Sequence, residues 1–594
     1  MAKRYLLGNE AIAHAAVEAS ADFVSGYPGT PSSEVIDILR VQEERPLYVE
    51  WSVNEKVAFE NALAAAWCGL RSLVTMKHVG LNVAADPLMT SGYTGVTGGF
   101  VIMCADDPFA HSSQNEQDTR FYARFAHLPC LDPATVQEAH DMVIDAFALS
   151  EELGLPVIFR PTTRVCHSKS DVVIGEAGKD SRKGNFPRDP KRFVLIPANA
   201  RPLHKALDEK LPKVTKTLAG RGYNRFERKG KTAIIAGGIG ATYVQEILPD
   251  GISFGKIGAY PVDWGALGDF VKGHRKILVI EEGEPIIEEL VRQVAGGIPV
   301  SGKLDGVVPA EGELSISAVS AILEGQGIIP KGAGTPGPVP NVPMRPPIMC
   351  AGCMHRPTFF AIKKVWRDAV YPSDIGCYTL GLQLGVVDTT ICMGSAPSLA
   401  SGINHSGDPR EVVATIGDST FLHSGIPGLL NAVYNGADMT LIILDNRTTA
   451  MTGHQPNPVS GTTAGGEVKA PVSLEAICRA CGVSFVETVS PYDLPSMIEV
   501  MKAAKAQKGV RVLIAKQPCV ITARRAGVKR VSYSVDRDAC TVCGTCIRFG
   551  CPAIEMIDDR AAINELCSGC GVCAQICPSG AIGPKEKEAK EAKP

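Results

Sequence analysis

Short apolar runs separated by helical-looking segments recur along most of the chain. Near the N-terminus, the runs ADFVSG and SLVTM flank an Ala-rich segment, and from Thr232 onward the runs TAIIAGG and KILVIEEG repeat this alternation. A third stretch begins at Met349 and contains VVATI, TLIIL and VRVLIAK. Alternating strands and helices are typical of mostly parallel sheets that are covered by helices. The pattern therefore predicts an α/β protein with doubly wound parallel sheets.

Changes in composition divide this pattern into six predicted parts. Seven prolines lie between Pro330 and Pro347, and such a composition favours an extended, semi-rigid linker. Cysteines become frequent in the last part of the chain. We predict two large α/β domains at 1–190 and 349–525, a middle α/β domain at 191–328, the linker at 329–348, a cysteine-rich α+β domain at 530–584 and a charged, disordered tail at 585–594.

The overall composition is that of an ordinary soluble globular protein. The 594 residues carry a formal net charge of −3, with 21% charged and 45% hydrophobic residues. No apolar run reaches the roughly 18 residues that a membrane-spanning helix needs. Glu10, His14 and Glu18 interrupt the N-terminal segment, which favours a first amphipathic helix over a signal peptide. We expect a cytoplasmic protein without membrane contact.

The segment from Lys179 to Lys231 is strongly basic, with 16 Lys or Arg residues and 5 Asp or Glu residues. Such a segment could attract an acidic protein partner such as a ferredoxin, or a cosubstrate that contains a nucleotide. The favoured interpretation is a solvated connection between domains. Because the segment has no motif spacing typical of nucleic-acid binding, we predict no nucleic-acid partner.

Cysteines carry the strongest chemical signal. Nineteen cysteines are many for an intracellular chain, where clustered cysteines bind metal more often than they form disulfides. Eight of them form two similar runs, Cys540-x2-Cys543-x2-Cys546-x4-Cys551-Pro and Cys567-x2-Cys570-x2-Cys573-x3-Cys577-Pro. The second run has the spacing of bacterial [4Fe-4S] ferredoxins, and the first has one extra residue before its fourth cysteine.

In such ferredoxins the fourth cysteine of each run ligates the cluster of the other run. This crossover assigns one [4Fe-4S] cluster to Cys540, Cys543, Cys546 and Cys577, and a second to Cys567, Cys570, Cys573 and Cys551. The offset of 27 residues between the two cysteine triplets indicates an internal repeat. Zinc is the alternative metal, but zinc binding does not explain why both runs end in Cys-Pro.

Four further cysteines could form a third metal site in the second large domain. Cys350 and Cys353 open the domain, Cys377 follows in DIGCYTLG, and Cys519 lies in AKQPCV. Thiolates at strand ends on one edge of a sheet could converge on a third [4Fe-4S] cluster. The alternative is that these cysteines are small buried hydrophobic residues, as we expect of Cys478 and Cys481 on an apparent helix.

Two polar groups follow neighbouring apolar runs in the same domain. Gly417-Asp418-Ser419 ends the run VVATI, and Asp445-Asn446 ends the run TLIIL, with 25 residues between Ser419 and Asp445. The pattern resembles the thiamine diphosphate signature, in which the third position of the first group is Gly and the second group is an Asn pair. An ordinary strand, turn and helix of an unrelated α/β domain is the alternative.

The resemblance to this signature implies a magnesium site. Both strand ends would lie at the carboxyl edge of one parallel sheet, where open α/β folds bind ligands. We expect Asp418, Asn446 and a backbone carbonyl near Thr448 to bind the Mg²⁺ that carries the diphosphate. The departures at Ser419 and Asp445 remove no expected metal ligand. Gly417, Asp418, Ser419, Asn446 and Thr448 are therefore the predicted cofactor-binding residues.

Two residues of the first domain are candidates for catalysis. Thr30 lies in the YPGTPSS loop, where Pro and Gly favour a rigid turn and Ser32 or Ser33 could cap the next helix. Glu55 begins the Ala-rich helix, and a buried carboxylate there would hydrogen-bond the pyrimidine N1′ of thiamine diphosphate and assist removal of the thiazolium proton. The alternatives are a simple capped turn and a first-turn Glu that complements the helix dipole.

Two more groups of polar residues are weaker candidates. Lys77 and His78 directly follow the run SLVTM and could contact substrate at a strand end. The polar segment CADDPFAHSSQNEQDTRFYARFAHLP contains His111, Asp118 and Arg120. We predict that this segment is a long loop, which could contact ligand or be solvated.

The order of these features resembles the α subunits of indolepyruvate:ferredoxin oxidoreductases, which belong to the thiamine diphosphate-dependent 2-oxo acid:ferredoxin oxidoreductases. The similarity covers essentially the whole chain: YPGTPSS, the middle domain, CAGCMHR, the GDS and DN groups, and a ferredoxin tail with a four-residue gap before Cys551. The resemblance implies an oxygen-sensitive enzyme that converts aryl pyruvates, CoA and oxidised ferredoxin into aryl-acetyl-CoA, CO₂ and reduced ferredoxin.

The same resemblance implies roles and partners. Thr30 would lie at the substrate and Glu55 would activate the cofactor. The cluster nearest the cofactor would be held by Cys350, Cys353, Cys377 and Cys519. The family uses a smaller β subunit, so we expect a hetero-oligomer of paired αβ units that reduces ferredoxin.

Other functions remain open on sequence grounds. The same chemistry could act on a different 2-oxo acid. A non-oxidative thiamine diphosphate decarboxylase or carboligase would not need the ferredoxin tail, whereas a pure electron-transfer protein would leave the motif from Gly417 to Asn446 unexplained. A structural scaffold would bind neither iron nor the cofactor.

Overall fold

The computed structural model describes residues 2–180, 182–330, 332, 342–343 and 345–585. The chain forms two compact units, residues 1–341 and 342–594. Much of the predicted linker and all of the predicted charged tail after Lys585 lie outside the described residues. The boundaries of the six predicted parts stay a prediction.

The first unit contains, within its described residues, a seven-stranded, a five-stranded and a two-stranded sheet. Its strands are β1 (Ala2–Leu7), β2 (Phe23–Gly26), β3 (Tyr48–Trp51), β4 (Ser72–Lys77), β5 (Phe100–Ala105), β6 (Cys130–Leu131), β7 (Val157–Phe159), β8 (Lys169–Ile174), β9 (Arg225–Glu227), β10 (Thr232–Gly237), β11 (Ser253–Ile257), β12 (Ala259–Tyr260), β13 (Lys276–Ile280) and β14 (Val300–Ser301). The seven-stranded sheet has the order β12-β6-β7-β5-β4-β2-β3, and the five-stranded sheet has the order β14-β13-β10-β11-β9.

Helices connect and cover these strands. They are α1 (Gly8–Glu18), α2 (Ser33–Leu39), α3 (Glu55–Trp67), α4 (His78–Val83), α5 (Ala85–Thr94), α6 (Thr119–Phe125), α7 (Val136–Leu153), α8 (Thr163–His167), α9 (Pro190–Phe193), α10 (Pro197–Gly220), α11 (Gly238–Ile247), α12 (Trp264–Val271), α13 (Ile286–Val294) and α14 (Ile316–Gly325). A 3₁₀ turn spans Pro108–Ala110.

The prediction of parallel sheets is confirmed. In the seven-stranded sheet every neighbouring pair is parallel except β12 and β6, and in the five-stranded sheet only β9 runs antiparallel to its neighbour. Every residue of β4 and β5 is buried. This explains their almost continuous apolar runs, because a central parallel strand is covered on both faces.

The chain does not begin with the predicted helix. Residues 2–7 form β1, which pairs antiparallel with β8, and helix α1 starts only at Gly8. The first four residues of β1 are exposed and charged or polar at several positions, so this strand lacks the alternating apolar pattern that would have indicated it.

The basic segment is more than a solvated connection. It contains the 24-residue helix α10, which packs against α5 and buries Leu207, Val214 and Leu218. Several of its arginines are paired; for example, Arg221 bonds to Glu152 at 2.6 Å. The helical part is therefore anchored to α5 along one side, while most of its residues are exposed, and its role as a connection between domains stays a prediction.

The polar segment after β5 is not a long solvated loop. Helix α6 begins directly after Asp118, and both Asp118 and Arg120 are buried. Arg120 bonds to Asp118 at 2.6 Å and to Glu281 at 2.8 Å, so the ion pairs join this segment to the end of β13 in the five-stranded sheet. Burial alone would raise the pKa of Asp118, but Arg120 and Arg160 outweigh it and hold the pKa well below its usual range.

We expect Asp118→Asn to destabilise the first unit by about 3–5 kcal/mol, because it leaves buried guanidinium groups without their carboxylate partner. The control is Asp269→Asn, since Asp269 forms an exposed pair with Lys272 and should change stability by at most about 1 kcal/mol. Urea denaturation of the full chain measures both. Equal stabilities for the two variants would contradict the structural importance of the buried pairs.

The second unit contains a four-stranded parallel sheet and two two-stranded antiparallel sheets within its described residues. Its strands are β15 (Val413–Gly417), β16 (Met439–Asp445), β17 (Phe485–Val489), β18 (Val510–Lys516), β19 (Tyr533–Val535), β20 (Ile554–Ile557), β21 (Arg560–Ile563) and β22 (Ile582–Pro584). Its helices are α15 (His355–Val365), α16 (Ser395–His405), α17 (Asp418–Thr420), α18 (Ile426–Tyr434), α19 (Leu474–Ala480), α20 (Leu494–Lys505), α21 (Val520–Arg525), α22 (Thr545–Arg548) and α23 (Val572–Ile576). A 3₁₀ segment spans Cys377–Leu384, and a π-helical turn spans Phe421–Gly425.

The four-stranded sheet has apolar packing on both faces. Its strand order is β15-β16-β18-β17. Ile442, Leu444 and Leu513 belong to one hydrophobic cluster, and Leu441 and Ile443 belong to another. Alternate residues of a strand point to opposite faces, so the two clusters cover the two sides of the sheet. No helix in the described part of the chain is long and apolar enough to cross a membrane.

Candidate cofactor and iron-sulfur sites

The carboxyl ends of β2, β3, β4 and β5 meet at one edge of the seven-stranded sheet. Glu55 follows β3, the YPGTPSS loop follows β2, and Lys77 ends β4. Glu55 is the first residue of α3, is 5% exposed, and follows Asn54, which caps the helix by accepting the Val57 N–H. A Cβ on Gly80 would lie 2.6 Å from Glu55 Oε1, so only glycine allows α4 to approach this carboxylate so closely.

The YPGTPSS loop lies against the segment that follows β5. Ser112 Oγ donates to the Thr30 carbonyl at 3.3 Å, and Lys77 Nζ donates to the Ser112 carbonyl at 2.8 Å. The predicted serine cap is wrong, because Ser32 and Ser33 hydrogen-bond Gly29 instead and provide no side-chain cap for α2. Thr30, Glu55 and Lys77 thus share one sheet edge in the first unit.

The second unit brings the two polar groups of the thiamine signature together. β15 and β16 are adjacent and parallel, with Gly417 opposite Leu444, so Asp418 and Asp445 lie at the same edge. Both carboxylates are only 2% exposed. Burial, and then the neighbouring Asp445 carboxylate, raise the pKa of Asp418 to about 7, and burial also raises the pKa of Asp445.

These carboxylates fit a divalent cation. Asp418 accepts a bond of 3.4 Å from Asn457 Nδ2, and Arg447 and Lys516 partly offset the rise in the pKa of Asp445. Two neighbouring buried carboxylates repel each other, and a bound Mg²⁺ with its oxygen ligands would relieve this cost. Ser419 lies close by, with its hydroxyl 2.9 Å from Thr449 Oγ1.

Asn446 lies between this group and a set of cysteines. Its side-chain oxygen accepts the Thr448 N–H at 3.0 Å, which folds the chain back after β16. Its backbone carbonyl accepts the Cys519 N–H at 3.0 Å. The hydrogen bond places Cys519 directly beside a predicted magnesium ligand.

The four cysteines of the predicted third site are neighbours in the structure. Burial raises the pKa of Cys353 to about 12, and the thiolates of Cys377, Cys350 and Cys519 add to this shift. Burial likewise raises the pKa of Cys377 to about 11, with Cys519 and Cys350 adding to it. Thiols this close in space fit iron, because a bound metal stabilises their deprotonated forms.

The eight tail cysteines surround two clefts. The first cleft is lined by Cys540, Cys543, Cys546 and Cys577. The second is lined by Cys551, Cys567, Cys570 and Cys573. The grouping is the crossed one that the ferredoxin spacing predicts, since the fourth cysteine of each run faces the other cleft.

The loop between Cys350 and Cys353 packs directly on the ferredoxin-like region. Gly352 has a φ of +74°, and a Cβ at this position would lie 1.7 Å from Ser568 Oγ. The Tyr492 hydroxyl donates to the Gly352 carbonyl at 2.5 Å. The loop therefore links the third cysteine set to the cleft that Cys567 helps to line.

Three residues at these sites were missed by sequence reasoning. Asn457 contacts Asp418 from a loop with no motif. Arg356 is 4% exposed, and burial lowers its pKa while the Cys551 and Cys353 thiolates oppose this effect. Asp374 accepts the Gly394 and Ala396 N–H groups at 2.9 Å each. The available signals were the positions of Arg356 in CAGCMHR and of Asp374 in DIGCYTLG.

Family models match three parts of the chain. Residues 14–209 match "Pyruvate flavodoxin/ferredoxin oxidoreductase, thiamine diP-bdg". Residues 374–515 match "Thiamine pyrophosphate enzyme, C-terminal TPP binding domain", and residues 562–583 match "4Fe-4S binding domain". The predicted fold class, thiamine diphosphate and iron-sulfur clusters are thereby confirmed.

Three curated relatives align along nearly their whole length. The indolepyruvate oxidoreductase subunit IorA of Archaeoglobus fulgidus is 44% identical, over 98% of this chain and 97% of the relative. The IorA subunits of Thermococcus kodakarensis and Methanothermobacter thermautotrophicus are 43% and 41% identical, over 98% of this chain and 97% and 98% of the relatives. The chain therefore belongs to the IorA family of subunits, within the thiamine diphosphate-dependent 2-oxo acid:ferredoxin oxidoreductases.

Proposed function

We propose that the chain is the α subunit of an enzyme that converts aryl pyruvates of the indolepyruvate type, CoA and oxidised ferredoxin into aryl-acetyl-CoA, CO₂ and reduced ferredoxin. The observation that carries the proposal is the hydrogen bond from Cys519 N–H to the Asn446 carbonyl. This bond links Cys519, one of the four cysteines of the predicted third cluster, to Asn446, one of the predicted Mg²⁺ ligands. An oxidative enzyme needs this proximity between electron acceptor and cofactor, whereas a non-oxidative decarboxylase does not.

The first unit contributes the proton chemistry in this proposal. Bound thiamine diphosphate supplies the nucleophilic carbon that allows a 2-oxo acid to lose CO₂. The buried Glu55 carboxylate hydrogen-bonds the pyrimidine N1′ and holds the proton there. Thr30 lies on the same sheet edge and contacts the substrate.

The second unit binds the diphosphate in this proposal. Asp418, Asn446 and a backbone carbonyl near Thr448 would hold Mg²⁺, and Gly417 and Ser419 would bind the diphosphate. The hydrogen bond from Asn457 to Asp418 would help to fix the orientation of this carboxylate. An outer partner of this kind typically changes metal affinity by about 10- to 100-fold.

In this proposal the cysteines would hold three [4Fe-4S] clusters, which would supply the electron path to ferredoxin. Cys350, Cys353, Cys377 and Cys519 would hold one, and the two tail clefts would hold the others. The relatives' name as subunits supports a partner subunit. We infer that this partner is smaller and that the enzyme contains paired αβ units. The cytoplasmic location stays a prediction.

If the chain binds three [4Fe-4S] clusters, it should contain about 12 iron atoms after anaerobic purification. Cys377→Ser should lower this to about 8 and remove one signal from the electron paramagnetic resonance spectrum of the reduced protein. The matched control is Cys478→Ser, because Cys478 is buried on α19 among apolar residues and should leave the iron content unchanged. An unchanged iron content in Cys377→Ser would contradict the third cluster.

Product analysis tests the reaction itself. The chain, co-expressed with its partner subunit, is incubated anaerobically with phenylpyruvate, CoA and ferredoxin, and the products are identified by mass spectrometry. We expect aryl-acetyl-CoA in equal amount to CO₂, with two electrons recovered in ferredoxin for each CO₂. Aryl-acetaldehyde formed without ferredoxin would instead show the non-oxidative reaction.

A further inference from the structure

Lys77 is a buried cation with few partners. Its side chain lies at the carboxyl edge of the seven-stranded sheet, and the residue is 8% exposed. Its ammonium group can donate three hydrogen bonds, but among the described residues Nζ donates only to the Ser112 carbonyl, at 2.8 Å. Lys77 forms no ion pair within the described residues, so most of its hydrogen-bonding capacity is left for a ligand.

Within the described residues, no carboxylate forms an ion pair with this ammonium group. Asp107 stabilises the Lys77 cation from a distance, while its own carboxylate accepts from Ser112 N–H at 2.8 Å, from Ser113 Oγ at 2.7 Å and from Thr163 Oγ1 at 2.7 Å. Burial lowers the pKa of Lys77 to about 8, although Asp107 and Glu55 oppose this effect. Lys77 therefore stays mainly cationic at neutral pH, and an anionic ligand would make this charge more favourable.

Lys77 lies near Thr30 and Glu55, the two residues to which the proposed function assigns substrate and cofactor contacts. A Cβ on Gly29 would lie 3.2 Å from Lys77 Cγ, so the side chain packs along the loop that carries Thr30. Ser112 connects the two directly, since it accepts from Lys77 and donates to the Thr30 carbonyl. Glu55 begins the helix that follows β3 at the same edge.

We propose that the Lys77 ammonium group binds the carboxylate of the 2-oxo acid substrate. The inference rests on the proposed function, because it assigns a residue to that substrate. An anionic oxygen of CoA would offer the same chemistry. We favour the substrate carboxylate because Lys77 is buried beside Thr30 and Glu55, where the carbon that loses its carboxylate would react.

The kinetic test uses Lys77→Met and Lys77→Arg in the co-expressed enzyme. Lys77→Met should raise the KM for phenylpyruvate by about 10- to 100-fold, since a hydrogen bond to a charged group contributes that much to binding. The KM for CoA, the iron content and the bound thiamine diphosphate should stay unchanged, and Lys77→Arg should restore part of the affinity. The matched control is Lys205→Met on the exposed face of α10, which should change nothing.

Three kinetic results would overturn the inference. They are an unchanged KM for phenylpyruvate in Lys77→Met, a rise confined to the KM for CoA, and a loss of affinity in Lys77→Arg as complete as in Lys77→Met. The first or the second, in an enzyme that still reduces ferredoxin with aryl pyruvates, would remove the role of Lys77 and leave the proposed function intact.

A binding test separates the two claims. Isothermal titration with unreactive 3-phenylpropionate should give weaker binding to Lys77→Met than to wild type, whereas the uncharged 3-phenylpropionamide should bind both equally. The wild-type protein could prefer 3-phenylpropionate in this way and yet oxidise no 2-oxo acid. That result would support the anion site at Lys77 but overturn the proposed function. No preference in the wild-type protein would overturn the Lys77 site.

Discussion

Glu55→Gln should lower kcat for ferredoxin reduction by at least about 10²-fold, within the range that positioned acid-base groups contribute. Glutamine has nearly the same shape as glutamate but cannot hold the proton at the pyrimidine N1′. Because Glu55 is buried against Gly80, the substitution should leave the packing of α3 and α4 unchanged. The measurement is steady-state reduction of an artificial dye together with iron and thiamine diphosphate content, and both contents should equal those of the wild type.

The control for this variant lies on the same helix. Glu60 is exposed and pairs with Lys56, so Glu60→Gln should retain nearly full activity. If Glu55→Gln kept a substantial fraction of wild-type activity, the catalytic role of Glu55 would be wrong. If both variants lost activity together with cofactor, the effect would be structural.

Asp418→Asn should weaken Mg²⁺-dependent binding of thiamine diphosphate by at least about 10²-fold, because even residues that only orient a metal ligand contribute 10- to 100-fold. The substitution removes one of two neighbouring buried carboxylates that lie at the same sheet edge. The apoprotein should not lose stability, since removing one of two neighbouring buried negative charges relieves repulsion. Fluorescence titration of the apoprotein with the cofactor, with and without Mg²⁺, measures the change in affinity.

Asp368→Asn is the control for this second variant. Asp368 is exposed at the end of the segment after α15, away from the strand ends that carry Asp418 and Asp445. Its substitution should leave the cofactor affinity unchanged. Wild-type affinity in Asp418→Asn would contradict the predicted magnesium site.

Local spacing made the spatial grouping of the tail cysteines predictable. The cysteines of each tail run lie a few residues apart, so their arrangement follows from short turns that the spacing itself requires. The neighbouring strand ends at Asp418 and Asn446 were predictable for a related reason. Parallel strands of one sheet end at the same edge, which brings residues together that are distant in sequence.

Long-range burial of charged residues was not predictable. Asp118 and Arg120 occur in a polar segment typical of a solvated loop, and only the folded chain brings Glu281 to them. Lys77 is a similar case, because its position after SLVTM indicated a strand end but not that its ammonium would be buried with one hydrogen bond. A charged residue that is buried by distant parts of the chain leaves no local pattern in the sequence.

Anaerobic reduction of a viologen dye tests the central claim most directly. The chain, co-expressed with its smaller partner subunit, is given pyruvate, 2-oxoglutarate, a branched 2-oxo acid, phenylpyruvate or indolepyruvate, each with and without CoA. The account predicts CoA-dependent reduction that is confined to the two aryl acids. Reduction by a different acid would contradict the substrate class, and no reduction by any acid, from protein that retains its iron and thiamine diphosphate, would contradict the oxidative reaction.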